Sequence, residues 1–215
     1  MTEPFALVMA KEPVPGRVKT RLCPPCTPEE AATVATAALA DTLEAVAACG
    51  APRRIVALEG APGEWLPPGF EVVPQRGDGL AERLACAWAD AGGWGIQIGM
   101  DTPQVRPAEL DRLLGVVAPG RAVLGPALDG GWWIIGLAEV DPAAAFDGVP
   151  MSTPMTGALQ RRRLRSLGLV VHGAPTRQDI DTVADLAAVA GAAPTTRTAA
   201  VAASLGLELR AEGVA

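Results

Sequence analysis

The chain has 215 residues, 49% of them apolar and 20% charged, and its net charge is −6. A chain of this length buries a full core without disulfide or metal staples, and the balance of apolar to charged residues excludes a disordered or fibrous protein. The acidic balance argues against a nucleic-acid partner, which would call for a basic field.

The first apolar run, Phe5 to Ala10, is too short for the hydrophobic segment of a signal peptide and has no basic residue ahead of it. Within it, Phe5 to Met9 shows no polar alternation, which predicts a strand covered on both faces, as in a parallel sheet. Cys23 and Cys26 lie in the loop that follows. With Cys49 and Cys86, and without an export signal, they read as reduced thiols of a cytoplasmic protein. Thr27-Pro28-Glu29-Glu30 is a helix start, with Thr27 as N-cap, Pro28 in the first helical position and Glu30 reaching back to the cap. The Ala-rich helix runs to about Cys49 and is ended by Gly50 and Pro52.

Arg53 to Leu58 and Phe70 to Pro74 read as strands, Leu80 to Ala91 as a helix, and Gly95 to Gly99 as a strand that stops at Asp101-Thr102-Pro103. A helix starts at Pro107 and extends to about Val117. Ala122 to Gly125 and Trp132 to Leu137 are strands flanking the Gly130-Gly131 turn. The last third gives a helix at Thr156 to Ser166, whose Arg161, Arg162, Arg163 and Arg165 read as an exposed face. A strand at Leu169 to His172 and helices at Val183 to Ala190 and Arg197 to Leu205 follow. No apolar run reaches the ~20 residues that cross a bilayer, so no membrane partner is expected.

Strands separated by helices predict an α/β protein, a single domain over residues 1–215 with a mostly parallel sheet between helical layers. Ligands in such sheets bind beyond the carboxyl ends of the strands. That rule selects the loops after Met9, Gly99 and Gly125.

The first loop holds Lys11, Arg17, Lys19 and Arg21 around Gly16. A glycine admits a phosphate to the backbone N–H groups and the cations neutralise it, so the loop reads as a cradle for a di- or triphosphate. On charge alone it is equally a solvated basic segment. It is not a P-loop, because Val18 stands where that motif has Gly. Asp101 directly follows an apolar strand, and a hard cation such as Mg²⁺ takes one or two such carboxylates together with phosphate oxygens. The plainer account makes Asp101 a helix cap.

In Asp179-Ile180-Asp181 the two carboxylates point the same way if the segment is extended, forming a second metal shelf. Asp181 or Thr182 serves equally as the cap of the next helix. Asp129-Gly130-Gly131-Trp132-Trp133 offers an acid, two glycines that would admit a ligand to the backbone, and an indole to wall an acceptor pocket. An Asp-Gly hairpin turn explains the glycines as well. Gln75, in a polar strand-to-helix turn, suits base or ribose contacts, although Gln75 to Leu80 lacks the third glycine of a dinucleotide-binding loop.

Other chemistries drop out. With His172 as the only histidine, H-E-x-x-H zinc chemistry is excluded and a Ser-His-Asp triad would hang on one residue. The Cys23-Pro24-Pro25-Cys26 pair has no second pair at zinc spacing. A redox role needs a helix N-terminus beside the thiols, which the helix after Thr27 leaves open.

Taken together, Lys11-x-Pro13-x-Pro15-Gly16-x-x-Lys19-Thr20-Arg21-Leu22, Gly99-x-Asp101-x-Pro103, Gly125-Pro126-x-x-Asp129-Gly130-Gly131 and Asp179-x-Asp181-Thr182 resemble a bacterial family of GT-A-like transferases. That family is the DUF2064 group, also called radical-SAM/selenodomain-associated transferase 1. The first loop and the Asp179 to Thr182 segment also resemble 2-phospho-lactate guanylyltransferases. The resemblance implies a three-layer, nucleotide-diphospho-sugar-transferase-like fold. It also implies nucleotide phosphates on the first loop, and Mg²⁺ or Mn²⁺ on Asp101, Asp179 and Asp181. The chain departs from the family at Trp132, Met151 and Ala81, where members carry Tyr, Trp and Gly.

The Asp-x-Asp of many nucleotide-sugar glycosyltransferases is missing at Asp101-Thr102-Pro103. That tilts the reading toward nucleotidyl transfer from a nucleoside triphosphate to a small phosphorylated or carboxylate acceptor, with Lys19, Arg17 and Lys11 clamping the phosphates. The alternatives are glycosyl transfer from a nucleotide sugar, with Asp129 as base, and a nucleotide-binding module without catalysis. A homo-oligomer is compatible with the sequence and not specified by it.

Overall fold

The computed structural model describes residues 2–207. Strand β1 (Phe5–Lys11) is buried from Phe5 to Val8, as its unbroken apolar run predicts, because it lies mid-sheet with helices on both faces. Strands β2 (Arg53–Glu59) and β4 (Gly95–Gly99) flank it in parallel, and β3 (Glu71–Pro74) pairs in parallel with β2 at the edge. Strands β5 (Arg121–Pro126) and β6 (Trp132–Leu137) form a hairpin, and β6 lies against β4, antiparallel to both neighbours. Strand β7 (Val170–Gly173) closes the far edge parallel to β5, giving the order β3-β2-β1-β4-β6-β5-β7. The sheet is therefore mostly parallel, and the short turn that links β5 to β6 confines the reversal to β6.

Alternate side chains of β1 divide the core between the two faces. Ala6, Val8 and Ala10 share one cluster with Leu39 and Leu43 of α1 (Pro28–Ala48) and Leu110 and Leu113 of α3 (Pro107–Leu114). Phe5 and Leu7 join Leu84 and Trp88 of α2 (Leu80–Ala91), Phe146 of α4 (Pro142–Phe146) and Leu164 of α5 (Thr156–Ser166) in another. Helices α6 (Val183–Ala192) and α7 (Arg197–Ser204) pack against α1 around Val34, Ala38, Leu186 and Ala202. The result is the expected three-layer α/β/α arrangement.

Several local details refine the sequence reading. Thr27 accepts from Glu30 N, and the Glu30 carboxylate accepts from Thr27 N at 2.7 Å, the reciprocal cap predicted for α1. By length and composition α1 is apolar enough to cross a bilayer, contrary to the expectation, which counted only unbroken apolar runs and passed over a helix diluted by threonines. Of its most apolar window 67% is buried inside the protein, so that surface is taken up by the core and by α6 and α7. Helix α4 has a start signal in Asp141-Pro142 but no apolar period to extend it. Its five residues are too few for a period, and it forms because Asp141 caps it at Ala143 N and Phe146 stacks on Trp132 at 6.4 Å between centroids. The arginines of α5 are not one solvated face either. Arg161 donates to Leu124 O at 3.3 Å and Arg163 to Ala144 O at 2.7 Å, tying α5 to β5 and α4.

One buried carboxylate anchors the last helix. Asp41 of α1 accepts from Thr198 N (2.8 Å), Thr198 Oγ1 (2.7 Å) and Arg197 N (3.0 Å). The two N–H groups are orphan donors at the start of α7, where the helix dipole also favours an anion. Replacement Asp41→Ala leaves the donors unmet and is expected to lower stability by about 2–3 kcal/mol, read as a reduced urea midpoint. An unchanged midpoint would remove the anchoring role.

Candidate active site

All three loops selected by the strand-end rule meet at one cleft. The chain leaving β1 turns through Lys19, a non-glycine residue held at φ 47°, just before a short 3-10 turn at Thr20–Leu22. A left-handed backbone at a lysine costs on the order of 1 kcal/mol. The turn aims a largely buried side chain, only 10% exposed, at the end of β4. There the Lys19 ammonium donates to Asp101 Oδ2 at 2.6 Å and to the backbone carbonyl of Ile180. Asp101 is thus no helix cap, and Arg106 occupies that position for α3.

The Asp179 to Thr182 segment resolves in the same way. Thr182 is the N-cap of α6 in a reciprocal pair with Asp185, which releases Asp179 and Asp181 from capping. The two do not form one shelf, however. Asp181 turns to Arg21, with 2.6 Å from Nη1 to Oδ2, whereas Asp179 lines the opposite half of the cleft.

The cleft consists of two adjoining cavities that share Met9, Leu80, Gly99 and Asp101. The first, of about 420 Å³, is lined by the Asp181 carboxylate together with Lys11, Arg17, Lys19, Arg21 and Arg83. Glu59, at the end of β2, partly balances them, lying 3.2 Å from Lys11 and 2.8 Å from Arg83. The second, of about 220 Å³, is lined by Asp101, Asp129 and Asp179 together with Trp132, Trp133 and Met151, and no Lys, Arg or His lines it among the described residues. Asp101 sits on the border.

Asp179 carries the electrostatic consequence. Its Oδ1 is buried without a hydrogen-bond partner. Burial pushes its carboxyl up to about 6, and the nearby carboxylates of Asp101, Asp129 and Asp181 add to the rise. No group of three or more His, Cys, Asp or Glu side chains stands close enough to hold a metal among the described residues. Lys19 and Arg21 hold Asp101 and Asp181 in ion pairs instead.

Other expected contacts are corrected. Gly16 (φ 75°) is not part of either cavity lining, and its turn geometry accounts for it. Gly130, at φ 90°, would place a Cβ 2.0 Å from the Pro154 carbonyl oxygen, so its missing side chain serves backbone packing against the start of α5 rather than ligand approach. Gly131 does line the second cavity, and its N–H donates to Asp129 Oδ1 at 2.8 Å. Gln75 lines the first cavity, but its amide nitrogen is committed to Ala10 O (2.8 Å) and Ala57 O (2.9 Å), which ties the ends of β1 and β2.

Among the polar contributors that escaped the sequence reading are Arg83 in the first cavity, and Gln97 and Ser152 in the second. Arg83 and Gln97 sit inside regular elements where apolar periodicity dominates. Ser152 is held at φ 58°, a strain not visible in its residue type.

Residues 32–153 match the family model described as an uncharacterized protein conserved in bacteria (DUF2064). The chain belongs to the DUF2064 family. A curated relative, the phosphoenolpyruvate guanylyltransferase of Thermomonospora curvata, is 31% identical, with 94% of this chain and 90% of the relative aligned. The solved structure of a candidate nucleotide-diphospho-sugar transferase from Desulfovibrio desulfuricans G20 superposes with a TM-score of 0.86 at 25% identity, covering 98% of this chain and 99% of that one. Rv0371c of Mycobacterium tuberculosis, solved in complex with manganese, shares the fold with a TM-score of 0.54 at 22% identity, over 87% of this chain and 97% of that one. This DUF2064 protein is an enzyme of the transferase class, with the GT-A-type fold of nucleotidyl and sugar transferases and nucleotidyltransferase-like kinship.

The Asp179 shift has a testable sign. The native state holds this proton more tightly than the unfolded chain, whose Asp titrates near 3.8, so stability falls as pH rises from about 4 through 6. Asp179→Asn is expected to raise the melting temperature of metal-free protein at pH 8 by about 2–6 °C, a gain discounted for partial exposure, and to match wild type near pH 4. A variant no more stable than wild type at pH 8 would contradict this reading.

Proposed function

We propose that this protein transfers a nucleotidyl group from a nucleoside triphosphate to a small acceptor and releases pyrophosphate. The observation that carries the reading is the division of one cleft into a half where five cations outnumber the Asp181 carboxylate and a half lined by Asp129 and Asp179 with no cation among the described residues, with Asp101 between them. A polyphosphate fits only the first half, where Lys11, Arg17 and Lys19 neutralise its charge and hold the α-phosphorus toward the border. The relative's guanylyltransferase name supports nucleotidyl over glycosyl transfer and makes GTP the first donor to test.

A divalent cation belongs to this reading. The donor set is hard oxygen, and the unpartnered Asp179 Oδ1 together with the mutual repulsion of Asp101, Asp129 and Asp179 is what a cation would relieve. Asp101 and Asp179 are the residues that would hold Mg²⁺ or Mn²⁺, with Asp181 beside them once a nucleotide draws Arg21 away. When bound, the ion would neutralise charge on the phosphate oxygens. The manganese bound by the structural neighbour Rv0371c is consistent with such a site.

The chain's own residues do the rest. Lys19 is held at the border of the two halves by Asp101 and Ile180 O, and exchanging Asp101 for a phosphate oxygen lets its ammonium stabilise charge that grows on the leaving pyrophosphate. Arg17 and Lys11 hold the β- and γ-phosphates. The apolar walls shared by the two cavities, Met9 and Leu80, restrict water near the α-phosphorus. The cytoplasm, with its nucleoside triphosphate supply and reduced thiols, is the compartment this chemistry fits.

Glycosyl transfer from a nucleotide sugar uses the same contacts and would release a nucleoside diphosphate. Lys19→Ala is expected to lower kcat/KM for the triphosphate by about 2–4 kcal/mol of transition-state stabilisation, on the order of 30- to 1000-fold. Pyrophosphate release measured with GTP and the other triphosphates checks it. Turnover at the wild-type rate would remove the phosphate role of Lys19.

A further inference from the structure

The second cavity has a chemistry of its own. Its ionisable lining is Asp101, Asp129 and Asp179, and it contains no cation among the described residues. An acceptor that brings a phosphate or carboxylate would place anion beside anion, an unfavourable juxtaposition where water is excluded. The triphosphate's charge is met by the five cations of the first cavity, and a dication on Asp101 and Asp179 would offset those two carboxylates, which leaves Asp129 facing the acceptor with no cation in the lining. The expectation of a phosphorylated or carboxylate acceptor, drawn from sequence resemblance, therefore fits this half of the cleft poorly.

The neutral groups point the same way. Gln97, deep in the sheet, has its Oε1 fixed by Trp88 Nε1 at 2.7 Å, so the amide group left for the cavity is its NH₂ donor. Thr156 Oγ1 is engaged with Pro150 O (2.8 Å) and Thr153 N (3.0 Å), within its own turn. Trp132 supplies an indole wall, stacked on Phe146 and so fixed in place. Neutral donors at Gln97 and Ser152, several carboxylate acceptors and a rigid aromatic wall complement a molecule rich in hydroxyl groups with an apolar ring face: O–H groups donate to the carboxylates and the ring face packs on the indole.

We propose that the acceptor bound in the second cavity is an uncharged, polyhydroxylated molecule of the sugar or polyol class, and that Asp129 takes the proton of its reacting hydroxyl. The assignment rests on the nucleotidyl-transfer reading for the identity of the donor. An acceptor hydroxyl oxygen forms the new bond to the α-phosphorus. The bond from that phosphorus to the bridging oxygen breaks, and pyrophosphate leaves with the electron pair. The hydroxyl proton passes to the Asp129 carboxylate, which an already ionised acceptor would not require. Asp129 is exposed at the cavity mouth and returns the proton to solvent.

The full chain is tested with GTP and the other triphosphates, Mg²⁺ or Mn²⁺, and two acceptor sets at millimolar concentration. One set is uncharged (glycerol, myo-inositol and neutral hexoses and pentoses) and the other is phosphoenolpyruvate and related phosphorylated acids. Pyrophosphate release with an uncharged acceptor and none with the acids is the expected result. Asp129→Asn, which keeps an oxygen for Gly131 N, should then lose on the order of 100-fold in turnover while the thermal shift by triphosphate is unchanged.

Pyrophosphate release driven by phosphoenolpyruvate overturns the acceptor assignment and leaves nucleotidyl transfer standing. Release of nucleoside diphosphate from a nucleotide sugar, with a polyol glycosylated, overturns nucleotidyl transfer and leaves the acceptor assignment standing. If no acceptor turns over, tryptophan fluorescence decides, since Trp132 and Trp133 both line the cavity. A saturable change with an uncharged acceptor alone upholds the proposal, and a change with the acids, or with neither set, overturns it.

Discussion

The ion pair between Lys19 and Asp101 is the contact on which the cleft depends. A single ammonium joins the loop after β1, the end of β4 and the segment before α6, three pieces of chain far apart in sequence. Because the Lys19 side chain is largely buried, parting the pair without a replacement would leave a charge uncompensated, and the contact thereby holds the loops in register. It also sets the border between the two halves of the cleft, since Asp101 belongs to both cavities. In the ligand-free protein Lys19 supplies the positive charge that the neighbouring carboxylates lack. A polyphosphate and a divalent cation arriving together would exchange that partnership for two new ones, which couples donor binding to metal binding through one residue.

The scaffold explains why this arrangement is available. Parallel strands end their carboxyl ends on one side, and helices on both faces leave that edge open to loops. The hairpin of β5 and β6 brings the Asp129 turn beside β4, because β6 inserts next to it. Gly130 lets the turn dock on the backbone at the start of α5, fixing the carboxylate at the mouth of the second cavity. The outer elements α6 and α7 matter at a distance, for α6 begins at Thr182 and so places Asp179 and Asp181. Asp41 anchors α7 against α1 behind them.

Much of this was legible in the sequence, for identifiable reasons. The unbroken run at Phe5, the capping signature at Thr27 and the alternation of strands with helices identified the layers. The rule of strand ends then selected loops that the structure brings to one cleft. Side-chain commitments were not legible. Gln75 looked like a base contact but ties two strands, and Gly130 looked like an opening for ligand but closes against Pro154. Asp179 and Asp181 share a spacing that suggests one face, and they diverge because Arg21, in the first loop, draws only Asp181. Such outcomes turn on partners distant in sequence. Helix α4 and Gln97 were missed for the opposite reason, since one is too short for a period and the other is a polar residue within an apolar strand.

The charge division of the cleft is tested most directly by a crystal structure of the protein with Mn²⁺ and a non-hydrolysable nucleoside triphosphate, the ion located by its anomalous scattering. The account predicts phosphates among Lys11, Arg17 and Lys19, manganese on Asp101 and Asp179, and the Lys19 ammonium moved from Asp101 to a phosphate oxygen. Phosphates bound outside the cationic cavity, or manganese bound away from Asp101 with the Lys19 pair intact, would contradict it.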